Sequence, residues 1–386
     1  MPSLRLAILL VSLAIWVAPA NGQDAPREPA DLVRSLRTLQ DQVAYGSASA
    51  HATQKALLAQ IAAELAQAKP EVWQQPRNAR AAIAFVLSGG DPRILKKLLG
   101  LGALPGMDEN LARGALAYGE GRSDEAAKLL GRIDARALDP SLAGHIALVQ
   151  SELIAKTDPG KALALLDDAR LLAPGTLIEE AALRRQVSAV AAAGDFDRFE
   201  MLASNYLRRF PKSIYAGSFR HQFAADVAGR NDAGSPSRSA RLEATLEALD
   251  LADRQDVYLT IAREALLKGK VELARFAAGS ALRLLGEGSP ERLRAQLYEA
   301  AALVVTEDFD KGVSVLEAME TTQLGGEEAE LFAAAVAVAA EVRRLPAPGD
   351  ATGQPGSEDI AATFKAAGTA RQAIARVDQL IGETGK

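Results

Sequence analysis

Alanine and leucine recur at helical spacing along most of this chain, and in places the pattern is broken at its centre. The stretch GALAYGEGRSDEAAKLLGRI, residues 114–133, places Gly119 and Gly121 inside what otherwise reads as one helix. Each glycine costs roughly 1 kcal/mol against alanine in a helix interior, so the stretch is one poor helix or two good ones joined by a turn. The arrangement recurs elsewhere. After Gly121, Ala126 stands at offset five and Leu129 and Leu130 at eight and nine. The same offsets carry Leu95, Leu98 and Leu99 after Gly90, and Ala162, Leu165 and Leu166 after Thr157. They carry Phe199 and Leu202 after Gly194, Ala274, Ala277 and Ala278 after Gly269, and Gly312, Val315 and Leu316 after Glu307.

The anchors fall at positions 90, 121, 157, 194, 269 and 307, so the chain repeats with a period of about 37 residues. The interval from Gly194 to Gly269 reads as two periods, with the middle unit degraded between Gly229 and Pro236. A unit of that size that pairs two helices across a tight turn predicts an all-α, tetratricopeptide-like helical-hairpin solenoid over residues 31–344. The glycines are then turns, and the punctured stretch is two helices. Helix-start chemistry agrees. Asp91-Pro92, Asp139-Pro140, Asp158-Pro159 and Ser289-Pro290 each set a side-chain acceptor before a proline at a first helical position. Thr176 and Glu179 fit a capping box. GDFD at 194–197 and EDFD at 307–310 read as one turn used twice, the phenylalanine plugging between helices.

Outside the array, Leu32, Leu36, Leu39 and Val43 form one apolar stripe and Leu57, Leu58, Ile61 and Leu65 a second. They predict an N-terminal hairpin at residues 31–68 that caps the solenoid. Residues 345–357 are a Pro/Gly-rich linker. Beyond it, residues 358–382 repeat Ile360, Ala367, Ile374 and Ile381 every seven positions with Phe364 and Val377 alongside, an amphipathic helix on a tether. Two placements of that helix are open, packed back on the last repeat, which we prefer, or free as a partner-binding arm.

The N-terminus carries Arg5, an apolar run from Leu6 to Ala18, and the small-x-small pattern Ala18-Pro19-Ala20. This predicts a signal peptide at residues 1–20 with cleavage after Ala20, followed by a disordered mature N-terminus at 21–30. As a helix the run would span about 20 Å against the roughly 30 Å of a bilayer core, so stable membrane insertion after cleavage is not expected. The expected location is the periplasm.

Composition narrows the function more than it names it. Hydrophobic residues are 48 % of the 386, charged residues 24 %, aromatics only 5 %, and the net charge is −5 with signs interleaved. No basic stripe with interleaved aromatics is present, which argues against nucleic acid. There is no cysteine, and His51, His145 and His221 are far apart, so neither zinc-ligand spacing nor a cysteine–histidine pair is available. Hydrolase, metalloprotease, phosphate-loop and dinucleotide motifs are missing. GLGALPG (100–106) has no preceding strand and reads as a loop. The recurring pairs Asp195/Asp197 and Asp308/Asp310 read as helix-start carboxylates, and Trp73 and Tyr118 as packing residues. No catalytic, cofactor, metal or small-molecule site is expected. What remains is the surface of the first helices in the middle of the array, where Arg184, Arg185, Gln186, Arg220 and Tyr258 are the candidate partner-binding residues.

The run LVRSLRTLQDQVAYGSASAHATQKALLAQIAAEL (32–65) and PGTLIEEAALRRQ (174–186) resemble the MotC family of flagellar motility proteins of alphaproteobacteria. The resemblance covers residues 31–344 and leaves out the linker and tail. It implies a periplasmic, non-enzymatic protein required for motor rotation, whose partner is the periplasmic domain of the stator protein MotB. Two other classes share the features read from the residues: a general periplasmic helical scaffold or chaperone of envelope assembly, and the helical domain of a peptidoglycan-lytic enzyme.

Overall fold

The computed structural model describes residues 27–344 apart from 103, 105, 106 and 233. The expected signal peptide with its cleavage point after Ala20, the linker at 345–357 and the helix at 358–382 lie outside the described residues. Among the described residues there are seventeen α-helices and no strand. They begin with α1 (Pro29–Ala44) and α2 (Ala48–Gln67), then α3 (Pro76–Leu87) with α4 (Arg93–Gly100), and α5 (Glu109–Gly119) with α6 (Ser123–Leu130). Next come α7 (Pro140–Ile154) with α8 (Pro159–Leu172), α9 (Leu177–Ala192) with α10 (Phe196–Arg209), and α11 (Ala216–Ala228) with α12 (Pro236–Leu246). The series ends with α13 (Leu251–Leu267) and α14 (Val271–Leu284), α15 (Pro290–Leu303) and α16 (Phe309–Glu317), and the unpaired α17 (Gly326–Arg344).

The punctured stretch is indeed two helices. α5 stops at Gly119, Gly121 takes φ +75°, and α6 starts at Ser123. Gly194 (+75°) and Gly269 (+66°) turn α9 into α10 and α13 into α14 in the same left-handed conformation, which a residue with a Cβ rarely adopts. Near Gly90 the left-handed residue is its neighbour Gly89, at +89°. The unit that looked degraded still supplies two helices, α11 and α12, joined by a longer turn.

Helix starts follow the expected chemistry with local differences. Asp139, Asp158 and Ser289 each accept a backbone N–H of the first turn, at 2.9 to 3.2 Å. Pro92 precedes α4 instead of opening it, and Asp91 accepts the N–H of Arg93 at 2.9 Å. In the predicted capping box, Thr176 accepts from Glu179 N–H at 3.4 Å, while the Glu179 carboxylate reaches one residue further back, to Gly175 N–H at 2.6 Å. The two DFD turns differ. Asp195 caps α10 through Arg198 N–H at 3.2 Å, whereas Asp308 makes no cap bond and pairs with Arg275 on α14 at 2.7 Å.

Most helices pack on their hairpin mates, and successive hairpins pack on one another. α6 meets α7, α8 meets α9, α14 meets α15 and α16 meets α17, while the first helices α7, α9, α11, α13, α15 and α17 touch in order. α12 departs from this by leaning on α10, the second helix of the preceding hairpin. The core divides into two clusters. One is built around Leu36, Trp73, Phe85, Leu95, Ile146 and Leu166. The other holds most of the aromatics, with Phe199 stacked on Phe223 at 5.4 Å and Tyr206 on Phe219 at 3.8 Å.

α1 makes contacts well beyond its own hairpin. It packs on α2 and α3 and also on α9, a helix four hairpins further along the chain. Leu32, Val33 and Leu36 belong to the first core, and Ala44 at its other end belongs to the second. One helix therefore ties the two cores together.

Candidate partner-binding surface

The first helices are linked side by side through polar contacts. Tyr118 on α5 donates to Glu152 on α7 at 3.1 Å, and Arg185 on α9 pairs with the same carboxylate at 2.9 Å. Burial and the Glu152 charge push the Tyr118 phenol up to about 12, so it is a donor throughout the physiological range. Further along, Arg220 on α11 pairs with Asp253 on α13 at 3.1 Å, and Lys212 reaches the same Asp253 at 3.7 Å. Arg263 on α13 bridges to Glu327 on α17 at 2.7 Å.

Arg184 and Arg185 are held on α9 for different purposes. Arg184 donates to Glu180 one turn back at 3.1 Å and lies over the ring of Tyr215 at 4.8 Å. Glu180 itself is fully buried and accepts from the Tyr206 hydroxyl at 2.6 Å. Both arginines remain partly exposed, at 31 % and 39 % of their side chains, and Arg220 keeps 15 %.

Gln186 and Tyr258 need correction. Gln186 has no exposed surface: its amide donates to Asp167 at 2.7 Å and its oxygen accepts from Arg170 at 2.9 Å, tying α9 to α8. Tyr258 is 2 % exposed and meets Phe276 edge-on at 6.2 Å. A first helix in mid-array is covered by its mate and by neighbours on both sides, so a polar residue there can be interior if the neighbouring hairpin supplies partners.

The N-terminal part of this surface is occupied by α1. Arg37 donates to the Ser141 carbonyl of α7, Gln40 to the Ser88 carbonyl at 3.2 Å, and Tyr45 to the Gly175 carbonyl at 3.3 Å. Asp41 accepts the N–H of Leu177 at the start of α9, at 3.1 Å. The Ile214 N–H reaches the Val43 carbonyl at 3.4 Å. No local pattern announces these contacts, because every partner lies on a distant hairpin. The first-helix surface beyond α1 runs from Arg184 through Arg220 to Arg263.

Chemically this is a strip of ion pairs that neutralise one another. Arg184 is anchored to the buried Glu180, but an exposed pair such as Arg185–Glu152 contributes about 0–1 kcal/mol, so an incoming chain of complementary charge can exchange it at little cost. Among the described residues no group of three or more His, Asp or Glu side chains is placed to hold a metal ion, and no helix is long and apolar enough to cross a membrane.

Comparison with known proteins supplies what geometry does not. The family model described as "Chemotaxis protein MotC" matches residues 1–384. The match takes in the linker and tail, beyond the segments whose texture carries the resemblance. The Chemotaxis protein MotC of Rhizobium meliloti (strain 1021) is 33 % identical over 344 residues, covering 89 % of this chain and 78 % of that protein. No solved structure matches. A chain matched over nearly its whole length, with a homologue of the same description, belongs to the chemotaxis protein MotC family.

Proposed function

We propose that this chain is a periplasmic, non-enzymatic motility protein that binds the periplasmic domain of the stator protein MotB and keeps it folded or correctly placed. The observation that carries the motility reading is membership of the MotC family over residues 1–384. The fold is read as a tetratricopeptide-like solenoid, supported by hairpins that pack on one another in succession. The partner surface is the ion-pair strip beyond α1, on which Arg184, Arg185 and Arg220 keep exposed surface.

A clean deletion tests the role directly. The deleted strain assembles flagella and does not swim; normal swimming ends this reading. Pull-down from solubilised envelopes tests the partner. Stator protein recovered with the wild type, and at least tenfold less with Arg185→Glu, whose partner Glu152 is exposed, supports it. Recovery of envelope-assembly machinery without stator protein replaces it with a general scaffold.

A further inference from the structure

The last helix of the array has a face that nothing among the described residues covers. α17 packs on α15 and α16, and of its 19 residues only Ala335 and Ala339 are buried. Yet residues 331–340, LFAAAVAVAA, are ten apolar positions in succession, almost three helical turns without a polar side chain. A helix apolar all round is a buried helix. Leu331, Phe332, Ala335 and Ala339 face α15 and α16, while Ala333, Ala337 and Ala340 lie exposed on the other side. Val336 and Val338 flank that side and are 42 % and 39 % exposed. Each earlier first helix from α7 onward has the next first helix packed on it from the C-terminal side, and α17 has no such neighbour among the described residues.

We propose that residues 358–382 of the same chain fold back as the covering helix on this face of α17. Three features of the chain select this occupant. The segment follows α17 directly, with only the linker at 345–357 between them. A linker of that length spans up to about 45 Å when extended, well beyond the roughly 8–10 Å between packed helix axes. Its apolar stripe, Ile360, Phe364, Ile374, Val377 and Ile381, carries large side chains, and the face on α17 carries small ones, so the two interdigitate. A short tether holds the segment at an effective concentration on the order of millimolar, which a second copy or an external helix must exceed to compete. The segment thereby closes the array as a terminal cap with a polar outer side, the device that keeps solenoid ends soluble.

The chain has no cysteine, so introduced pairs report this contact cleanly. In the full-length protein, Ala337→Cys is combined in turn with Ile360→Cys, Ile374→Cys and Ile381→Cys, and separately with Lys365→Cys, Gln372→Cys and Arg376→Cys on the opposite side of the segment. Under mild oxidation the first set closes disulfides within one chain, its fastest member at least tenfold faster than any of the second set. Equal rates in both sets, or disulfide-linked dimers as the main product, overturn the proposal. A second readout is independent of cysteine chemistry. In full-length Ile374→Asp, amide exchange across α17 rises at least tenfold while α7 and α9 are unchanged; exchange identical to wild type at α17 also overturns it.

Discussion

The carboxylate of Asp41 on α1 accepts the backbone N–H of Leu177, the first residue of α9, across 3.1 Å and 136 positions of sequence. It supplies an acceptor to the start of another helix, the service an N-cap side chain usually performs from its own chain segment. Burial raises the proton affinity of Asp41, opposed by the Leu177 N–H and the Arg37 charge. The folded state therefore holds this proton more tightly than the unfolded chain, and the contribution of this group to stability grows as pH falls through its raised folded pKa. What the position needs at neutral pH is an acceptor more than a charge. Asp41→Ala is expected to cost about 1 kcal/mol at pH 7, and Asp41→Asn, which keeps an acceptor oxygen, half of that or less. Urea denaturation at fixed pH distinguishes them; equal losses would mean that the charge is what matters.

His145 should make stability depend on pH. It is buried on α7, hydrogen-bonded to Ser88 Oγ at 3.1 Å, and held down to about 3 by burial, with the Arg37 charge adding to the effect. In the unfolded chain a histidine titrates near 6.5. Between those values the unfolded state binds a proton that the folded state does not, so stability falls as pH drops from about 6.5 towards 3, by up to ~1.4 kcal/mol per pH unit. Going from pH 7 to pH 5, the wild type should lose up to about 2 kcal/mol more than His145→Gln. Parallel losses for the two proteins across that window would remove His145 from the account.

The hairpins are legible in the sequence because their signals are local. A left-handed glycine, a capping acceptor and apolar residues at fixed offsets all sit within one repeat unit, as the turns at Gly121, Gly194 and Gly269 do. The path of α1 is not. Its apolar stripe announces a helix, but Asp41, Arg37 and Tyr45 take partners on α9, on α7 and in the turn before α9 that no spacing in residues 31–46 encodes. Gln186 misleads for the same reason. Polarity on a first helix suggests solvent, whereas Asp167 and Arg170 from the preceding helix match its donors and acceptor. Arg184 and Arg185, two residues and one residue earlier, reach the surface because long cationic side chains extend past the packing layer.

Two glycines of the punctured stretch should fail for different reasons when given a Cβ. Gly121 has open space around it but φ +75°, so Gly121→Ala pays only backbone strain, roughly 1 kcal/mol. Gly121→Asn should be milder, since asparagine tolerates this conformation. Gly114 lies inside α5, where alanine would ordinarily stabilise by about 1 kcal/mol. There, however, a Cβ would sit 2.6 Å from the Leu130 side chain of α6. Gly114→Ala is therefore expected to destabilise by about 1–3 kcal/mol through overpacking. Thermal unfolding of the single variants decides this, and a stabilised Gly114→Ala would show that α5 and α6 do not approach so closely.

The buried carboxylate of Glu180 is expected to be the most sensitive single position on α9. It accepts from Tyr206 Oη at 2.6 Å, from Arg184 at 3.1 Å and from Ser213 Oγ at 3.4 Å, joining α9 to α10 and to the turn before α11. Its charge is matched by Arg184, and Tyr206, whose phenol is driven well above its ordinary range by burial and this carboxylate, remains a donor at every accessible pH. Removing the acceptor leaves a buried hydroxyl and a half-buried guanidinium without their partner, so Glu180→Ala should cost roughly 3 kcal/mol. Removing one donor leaves the other two in place, and Tyr206→Phe should cost about 1 kcal/mol. Because both variants act on one network, their double-mutant loss should fall short of the sum. Denaturant titrations of the three variants measure that coupling; additive losses, or a Glu180→Ala cost below that of Tyr206→Phe, would mean that Glu180 does not organise this junction.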